Sequence, residues 1–388
     1  MVTYLRRFQQ VAKERSGPAL FRSDLVFRKH LSPVDVYCYL RARFGEPNGF
    51  QSHLRRKETS DNLVHWDFNL KAGDEDVYVA GGNREIHFMV SEKLNHGDWV
   101  RLVSTLRADF GRVGKEKGEV LKGLERWVIF PNRYVQTGDL CAALHAGISS
   151  TLKRSSAIQV SRMTPSQFRT SLYSDSRNLV RITTKLFREC LELSLLTPVL
   201  AEAFLNMTVL ILCKKKIRDN PRQFEAFVKS QIDVKVFDLP YKCNGFIRPI
   251  DSNSPEYKAF KRVMDLRNDT IHGNVDPEKE KIETVYFEGT RPLFKEPGDH
   301  LLKRFQALQR QLDPEAVLKN YEAVLAFLAS IPGNLAPRAQ DRFWQIVEST
   351  VPGYDLDRKI VSKVLPDVTI STYMQGARYD DELAADWP

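Results

Sequence analysis

The chain's apolar positions fall into two textures. Over roughly residues 1–150 short strand-like runs alternate with helical ones. Ser32 followed by Pro33 has the chemistry of an N-cap and first helical position, for a helix through Arg43. Three strand-like runs come next, Leu63–Leu70, Val77–Ala80 and Glu85–Val90. Lys71-Ala72-Gly73 and Gly81-Gly82-Asn83 separate them, and both are turn chemistry, so the runs predict an antiparallel meander. A helix is expected from about Asp98 to Phe110, and Trp127–Phe130 is a further short strand candidate.

Beyond about residue 150 the helical period takes over. Leu179, Ile182, Leu186, Leu191 and Leu195 predict a helix over Ser174–Leu195. Thr197-Pro198 then reads as the start of a second helix, ending in the basic run Lys214-Lys215-Lys216. Pro221 to about Ile232 predicts a third. The stretch 233–252, with Pro240, Gly245 and Pro249, reads as irregular. Ser254-Pro255 starts a fourth helix toward Leu266. Ile282–Phe287 and Pro292–Phe294 flank Glu288-Gly289-Thr290 as a small hairpin. Asp313-Pro314 opens an amphipathic helix through about Ser330. The tail after 350 gives no assignable pattern, and no internal repeat is visible. The fold class expected is α+β. An α+β domain occupies 1–150, a mainly helical domain with a small hairpin insertion 151–350, and a C-terminal extension 351–388.

Composition adds constraints. Of the 388 residues, 42% are hydrophobic and 28% charged, which suits a packed globular core and argues against disorder. The net charge of +9 is compatible with a polyanionic partner without requiring one. Cys38, Cys141, Cys190, Cys213 and Cys243 are scattered and form neither a zinc spacing nor a disulfide framework. Reduced thiols in or near a core fit them better and point to the cytoplasm. Met1–Arg15 is polar and basic, without a signal-peptide core. The most apolar run, Val199–Cys213, is too short to span a bilayer and contains Glu202 and Asn206. No membrane association is expected.

Several clusters favour structural explanations. His65-Trp66-Asp67, His87 and His96 match no metal-ligand spacing. Asp74-Glu75-Asp76 reads as a solvated turn. Gly81-Gly82-Asn83-Arg84 has no following helix or Lys-Ser/Thr pair and reads as a hairpin turn rather than a phosphate loop. The basic clusters Lys214-Lys215-Lys216 with Arg218, Arg55-Arg56-Lys57 and Arg112–Arg126 suit solvated faces and helix ends. As a functional alternative, Lys214, Lys215 and Lys216 could contact phosphates along an RNA path.

The segment Asp265-Leu266-Arg267-Asn268-Asp269-Thr270-Ile271-His272-Gly273 carries the strongest chemistry. Arginine presents a fixed fork of donors to phosphate and stays charged. Histidine exchanges a proton near neutral pH, and asparagine can orient either partner. Together they can support metal-free RNA cleavage, in which the ribose 2′-OH attacks the adjacent phosphorus. The histidine moves a proton and the arginine stabilises charge on the phosphorane-like transition state. On an unbroken helix a separation of five residues turns the two side chains about 140° apart. The motif therefore works best where the helix ends or where a second copy completes it, and Gly273 is placed to end a helix. The competing structural reading pairs Arg267 with Asp265 or Asp269 and leaves His272 capping the helix.

Arg267-Asn268-x-x-x-His272 resembles the Arg-x(4–6)-His signature of HEPN domains, in the form with asparagine after the arginine. Pro198–Asn206 resembles the apolar helix of HEPN-like families that carries Glu-x-Phe-x-Asn, here Glu202, Phe204 and Asn206. The likeness covers roughly residues 175–330. It implies an all-helical bundle forming a two-fold homodimer, with two signatures meeting in a composite cleft. It also implies a metal-independent endoribonuclease without cofactors, of the kind found among toxins and antiviral defence effectors acting on tRNA or mRNA. Arg267 would bind the scissile phosphate, His272 would transfer a proton and Asn268 would orient, while Glu202 and Asn206 would support the substrate from the facing helix. An antitoxin or regulatory partner would fit such a role. The alternative is a non-catalytic HEPN-like domain that dimerises or binds nucleotide or RNA. The hairpin at 282–294 and the stretch 233–252 depart from a minimal bundle. Residues 1–150 resemble no family, and sensing, substrate recognition or regulation is assigned to them only by analogy.

Overall fold

The computed structural model describes residues 2–3, 22–48, 65–82, 84–154, 164–271, 277–278, 281–311, 313–364 and 378–388. In 2–3, 154, 168–169, 171–180, 267–271, 301, 305 and 308–311 it describes the backbone alone. The fold is mixed α+β. It divides into two compact units, one of residues 1–128, 355–358 and 363–388, the other of 129–354 and 359–362. The boundary thus lies near residue 128 rather than 150. Most of the tail beyond 351, expected as a separate extension, clusters with the first unit.

The first unit contains a five-stranded antiparallel sheet, ordered β1-β3-β4-β5-β2. Its strands are β1 (Val2–Thr3), β2 (Ser23–Phe27), β3 (Trp66–Ala72), β4 (Glu75–Gly81) and β5 (Ile86–Val90). The three meander strands were legible, whereas β2, which pairs Ser23–Phe27 with Ile86–Val90, was not. Alternation puts Leu25, Phe27, Phe68, Leu70, Val79, Ile86 and Phe88 on one face. They bury against α1 (Pro33–Phe44) and α2 (His96–Arg112), with Trp99 fully enclosed. Pro33 does begin α1, but Ser32 makes no side-chain cap bond. The cap with bonding is Asn95, whose side chain accepts from the Asp98 amide while Asp98 accepts from the Asn95 amide. Asp74-Glu75-Asp76 is only partly a turn. Glu75 and Asp76 open β4, in register with Ala72 and Lys71, so Asp76 is buried. A short helix α3 (Gly114–Lys122) and the strand β6 (Trp127–Ile129) follow.

The second unit is helical and built around one long element. After α4 (Arg133–Arg154), helix α5 runs unbroken from Pro165 to Leu212. This corrects the expectation of two helices parted at Thr197-Pro198. The Thr197 hydroxyl donates to the Leu193 carbonyl one turn back at 2.7 Å, so it reinforces the preceding helix instead of capping a new one. By length and composition Arg181–Leu212 could cross a membrane, but half of its apolar window is buried inside the protein. It is the core helix against which α4 and later helices pack.

Next come α6 (Lys215–Arg218), α7 (Pro221–Val228) and α8 (Ile232–Lys242). The expected irregular stretch 233–252 is thus corrected over its first half. Pro240 sits inside α8, where burial of Val236 and Leu239 holds the helix together. Helix α9 (Pro255–Ile271) begins at the expected Ser254-Pro255, and β7 (Val285–Glu288) pairs with β8 (Arg291–Phe294) across Gly289, whose φ of 61° suits glycine. Helices α10 (His300–Gln311), α11 (Pro314–Ser330) and α12 (Pro337–Val347) complete the unit. Asp313 caps α11 as expected, accepting from the Glu315 amide. The core joins Phe204 of α5, Phe260 of α9, Phe327 of α11 and Phe343 of α12, with Phe260 and Phe327 at 4.4 Å between ring centres. Burying such rings stabilises by about 1.5–3 kcal/mol each.

All five cysteines are buried and unpaired. Burial pushes the Cys141 thiol up to about 11 and the Cys190 thiol, beside Glu189, up to about 12, so both behave as core residues.

Candidate functional site

Helix α9 positions the motif. Ser254 caps its start through its hydroxyl, which accepts from the Tyr257 amide at 3.2 Å. Tyr257, Phe260, Val263 and Met264 recur at helical spacing and bury against α5, α8 and α11. That packing fixes the helix, whose backbone continues through Arg267 and Asn268 to Ile271. His272 and Gly273 lie outside the described residues, as do the side chains of Arg267 and Asn268. Position 268 comes seven residues after Lys261, and a helix returns to nearly the same face after seven.

One turn before the motif, α9 forms a wall of a cavity of about 490 Å³. Glu202 of α5, Ser230 and Asp233 at the α7–α8 turn, and Tyr257, Lys261 and Asp265 of α9 face it. The lining mixes three carboxylates, cationic side chains and an aromatic floor. Lys261 and Asp265 stand 3.8 Å apart along the exposed side of α9. Lys229, also in the lining, is engaged by Glu225 at 2.6 Å.

Beside the cavity lies a residue that the pattern reading missed. Lys235 of α8 is only 4% exposed, and its Nζ donates to Asn206 Oδ1 at 2.7 Å. Desolvation pushes its pKa down, against the attraction of Glu202, which pushes it up. Glu202 and Asn206 are one turn apart on α5, so the Glu-x-Phe-x-Asn segment presents Phe204 to the core and its two polar residues toward a buried ammonium. The signal in the sequence is a lone lysine in the apolar run around Val234, Val236 and Leu239, which Pro240 and Gly245 mask by giving the segment the composition of an irregular stretch.

Of the residues predicted from sequence, the structure gathers Glu202 and Asn206 around Lys235 and places Glu202 in the cavity that α9 lines. It does not bring Lys214, Lys215 and Lys216 into that lining. Lys214 donates to the Tyr241 carbonyl at 2.5 Å, Lys215 pairs with Asp219 at 2.7 Å, and Lys216 is exposed on α6. Arg218 holds the chain after α5, donating to the Cys213 carbonyl at 2.9 Å and the Lys359 carbonyl at 2.7 Å.

Among the described residues no three His, Cys, Asp or Glu side chains gather closely enough to hold a metal ion. His87 pairs with Glu85 at 3.1 Å and Asp67 accepts from Asn48 at 2.9 Å. No known family model, curated protein or solved structure matches this chain.

Proposed function

We propose that this chain is a metal-independent endoribonuclease of the HEPN type, acting in the cytoplasm as a toxin or antiviral defence effector on tRNA or mRNA. The observation that carries this reading is the position of the Arg-Asn-x-x-x-His segment. The backbone of Arg267 and Asn268 continues the packed helix α9, just after the residues Lys261, Met264 and Asp265 that line a polar cavity with Glu202. In the mechanism proposed, Arg267 binds the scissile phosphate and offsets the charge that develops on it. His272 transfers a proton to or from the reacting oxygens, and Asn268 orients these groups. The 2′-OH displaces the 5′-linked oxygen, leaving a cyclic phosphate and a free 5′-OH. The geometry of a helix end, where side chains five apart diverge, favours completion of the site by a second copy in a homodimer.

The test is cleavage of total RNA in EDTA by the wild type and by Arg267→Ala and His272→Ala. Each substitution is expected to lower the rate by about 10²–10⁴-fold, the usual contribution of a proton-transfer or charge-stabilising group. Wild-type protein that leaves RNA intact, or an Arg267→Ala variant that cleaves as fast, would overturn the reading.

The non-catalytic alternative draws on a different observation. The β7–β8 hairpin leaves Tyr286, Phe287, Leu293 and Phe294 more than half exposed. An apolar hairpin of that kind suits contact with a second copy of the chain. In that reading Tyr286→Ser with Phe287→Ser dissociates the dimer, and the motif variants change nothing in RNA.

A further inference from the structure

We infer that the cavity beside Glu202 holds the base next to the scissile phosphate, and that the base it accepts is guanine. This rests on the ribonuclease reading and names the specificity of the same site. Three observations support it: the cavity's size, its lining chemistry and its position on α9.

The position comes first. Asp265 lines the cavity and precedes Arg267 by two residues, about 3 Å along the helix axis. Lys261 is about 9 Å before Arg267 on the same scale. At about 100° per residue Arg267 lies about 160° around the helix from Asp265, whereas position 268, seven residues after Lys261 and four after Met264, falls on the face that lines the cavity. It is through that face that a phosphate held by the motif has its nucleotide at the cavity. At about 490 Å³ the space accommodates a nucleoside.

The lining then discriminates. Glu202, Asp233 and Asp265 are acceptors when ionised, and they outnumber the ammonium groups of Lys229 and Lys261 in the lining. They call for a ligand rich in N–H donors. Guanine alone among the four RNA bases sets two donors side by side, N1–H and the N2 amino group, and these match the two oxygens of one carboxylate. Adenine and cytosine each turn one amino group and a ring-nitrogen lone pair to the same carboxylate. Uracil offers one imide N–H between two carbonyls. On the other edge, guanine O6 and N7 are acceptors that suit the Ser230 hydroxyl. Tyr257 and Phe260 supply an apolar floor.

Glu202 is suited to the central role. It stands on the rigid core helix α5, and the buried Lys235 ammonium, itself bonded to Asn206, lies beside it. An ordered carboxylate loses little conformational freedom on binding. Asp265 at the exposed rim takes the remaining N2 proton.

The experiment is calorimetric titration of the full chain with guanosine, adenosine, cytidine and uridine 3′-monophosphates, and with inorganic phosphate. It uses the Arg267→Ala/His272→Ala double variant beside the wild type, so that binding is read whether or not RNA is cut. Guanosine 3′-monophosphate is expected to bind about tenfold or more tightly than the other three, and phosphate alone weakest. Glu202→Gln, with an unchanged melting curve, should erase that preference. Asp265→Asn, at an exposed position, should reduce it several-fold, and it serves if Glu202→Gln fails to fold. Equal affinity for the four nucleotides, no binding of any, or a guanine preference that both variants retain would overturn the inference. A guanine preference in a protein that leaves RNA uncut leaves the subsite standing and sinks the nuclease reading. Cleavage without preference for any base does the reverse.

Discussion

Two buried aspartates in the first unit show how burial alone does not fix a carboxylate's charge. Asp380 is fully enclosed, and burial by itself would raise its pKa. The backbone amides of Arg28 and His30, the His30 ring and the Lys29 amide all stabilise the anion, and they win, so the pKa falls below the usual range. Asp67 is 2% exposed, and its Oδ2 accepts from the Asn48 side chain while its Oδ1 has no hydrogen-bond partner. There burial wins and the pKa rises. The signs of the pH dependence are opposite. A lowered pKa contributes stability present above the unfolded value near 3.8 and lost as pH falls toward the folded one. A raised pKa costs stability as pH climbs above 3.8. Asp380→Asn is therefore expected to destabilise by about 2–4 kcal/mol at pH 7, with the difference shrinking in acid. Asp67→Asn should be within about 0.5 kcal/mol of wild type or more stable at pH 7. Urea melts of both variants at pH 7 and pH 4 check the pair, and a large loss in Asp67→Asn at pH 7 would contradict the assignment. Neither role is legible in the sequence, because Asp380 acts on residues some 350 positions away and the shift at Asp67 comes from burial that only the folded sheet provides.

At the scale of elements, local signals succeeded where side chain and backbone agreed and failed where tertiary packing overruled them. Ser254-Pro255 and Asp313-Pro314 begin helices, because in each the cap side chain takes an amide of the first turn. Thr197-Pro198 has the same composition and begins nothing. Leu193, Leu200, Ala201, Phe204 and Leu205 continue a buried face through it, and that face outweighs the missing proline N–H. Pro240 is overruled likewise by Val236 and Leu239. Lys235 has no such local signature, because only the fold brings α8 to α5, whereas Glu202 and Asn206, which stand beside it, lie in one short local pattern. Caps offer a direct test of what counts. Asn95 makes a reciprocal capping box, and Ser32 makes no side-chain bond at all. Asn95→Ala should cost about 1 kcal/mol, and Ser32→Ala only a few tenths. Equal losses in thermal melts would mean that the bonds drawn at α2 contribute nothing.

At the scale of the whole molecule, the chain leaves its first unit near residue 128, builds the second, and returns. A reading that proceeds along the sequence assigns domains as consecutive blocks, so the unpatterned tail could not be placed. Its last residues are in fact part of the first unit's sheet and core. Val26 donates to the Arg378 carbonyl at 2.8 Å, and the Arg28 guanidinium stacks 3.9 Å over Tyr379. Trp387 packs edge-on against Phe27 at 5.9 Å and stacks on His30 at 4.6 Å. Arg107 reaches the Pro388 carbonyl. Together with Asp380 these contacts close the end of β2, an edge strand that would otherwise present unpaired backbone. Ending the chain after residue 377 removes the Asp380 cap and the Trp387 packing at once. The loss expected is about 4–6 kcal/mol, comparable to the whole stability of a small domain. It should fall on one unit. Hydrogen exchange is expected to speed up across β2–β5 and α2 and to stay unchanged across α5, α9 and α11. Uniform acceleration in both units would mean that they unfold as one, and unchanged exchange in β2 would mean that the tail only decorates the sheet.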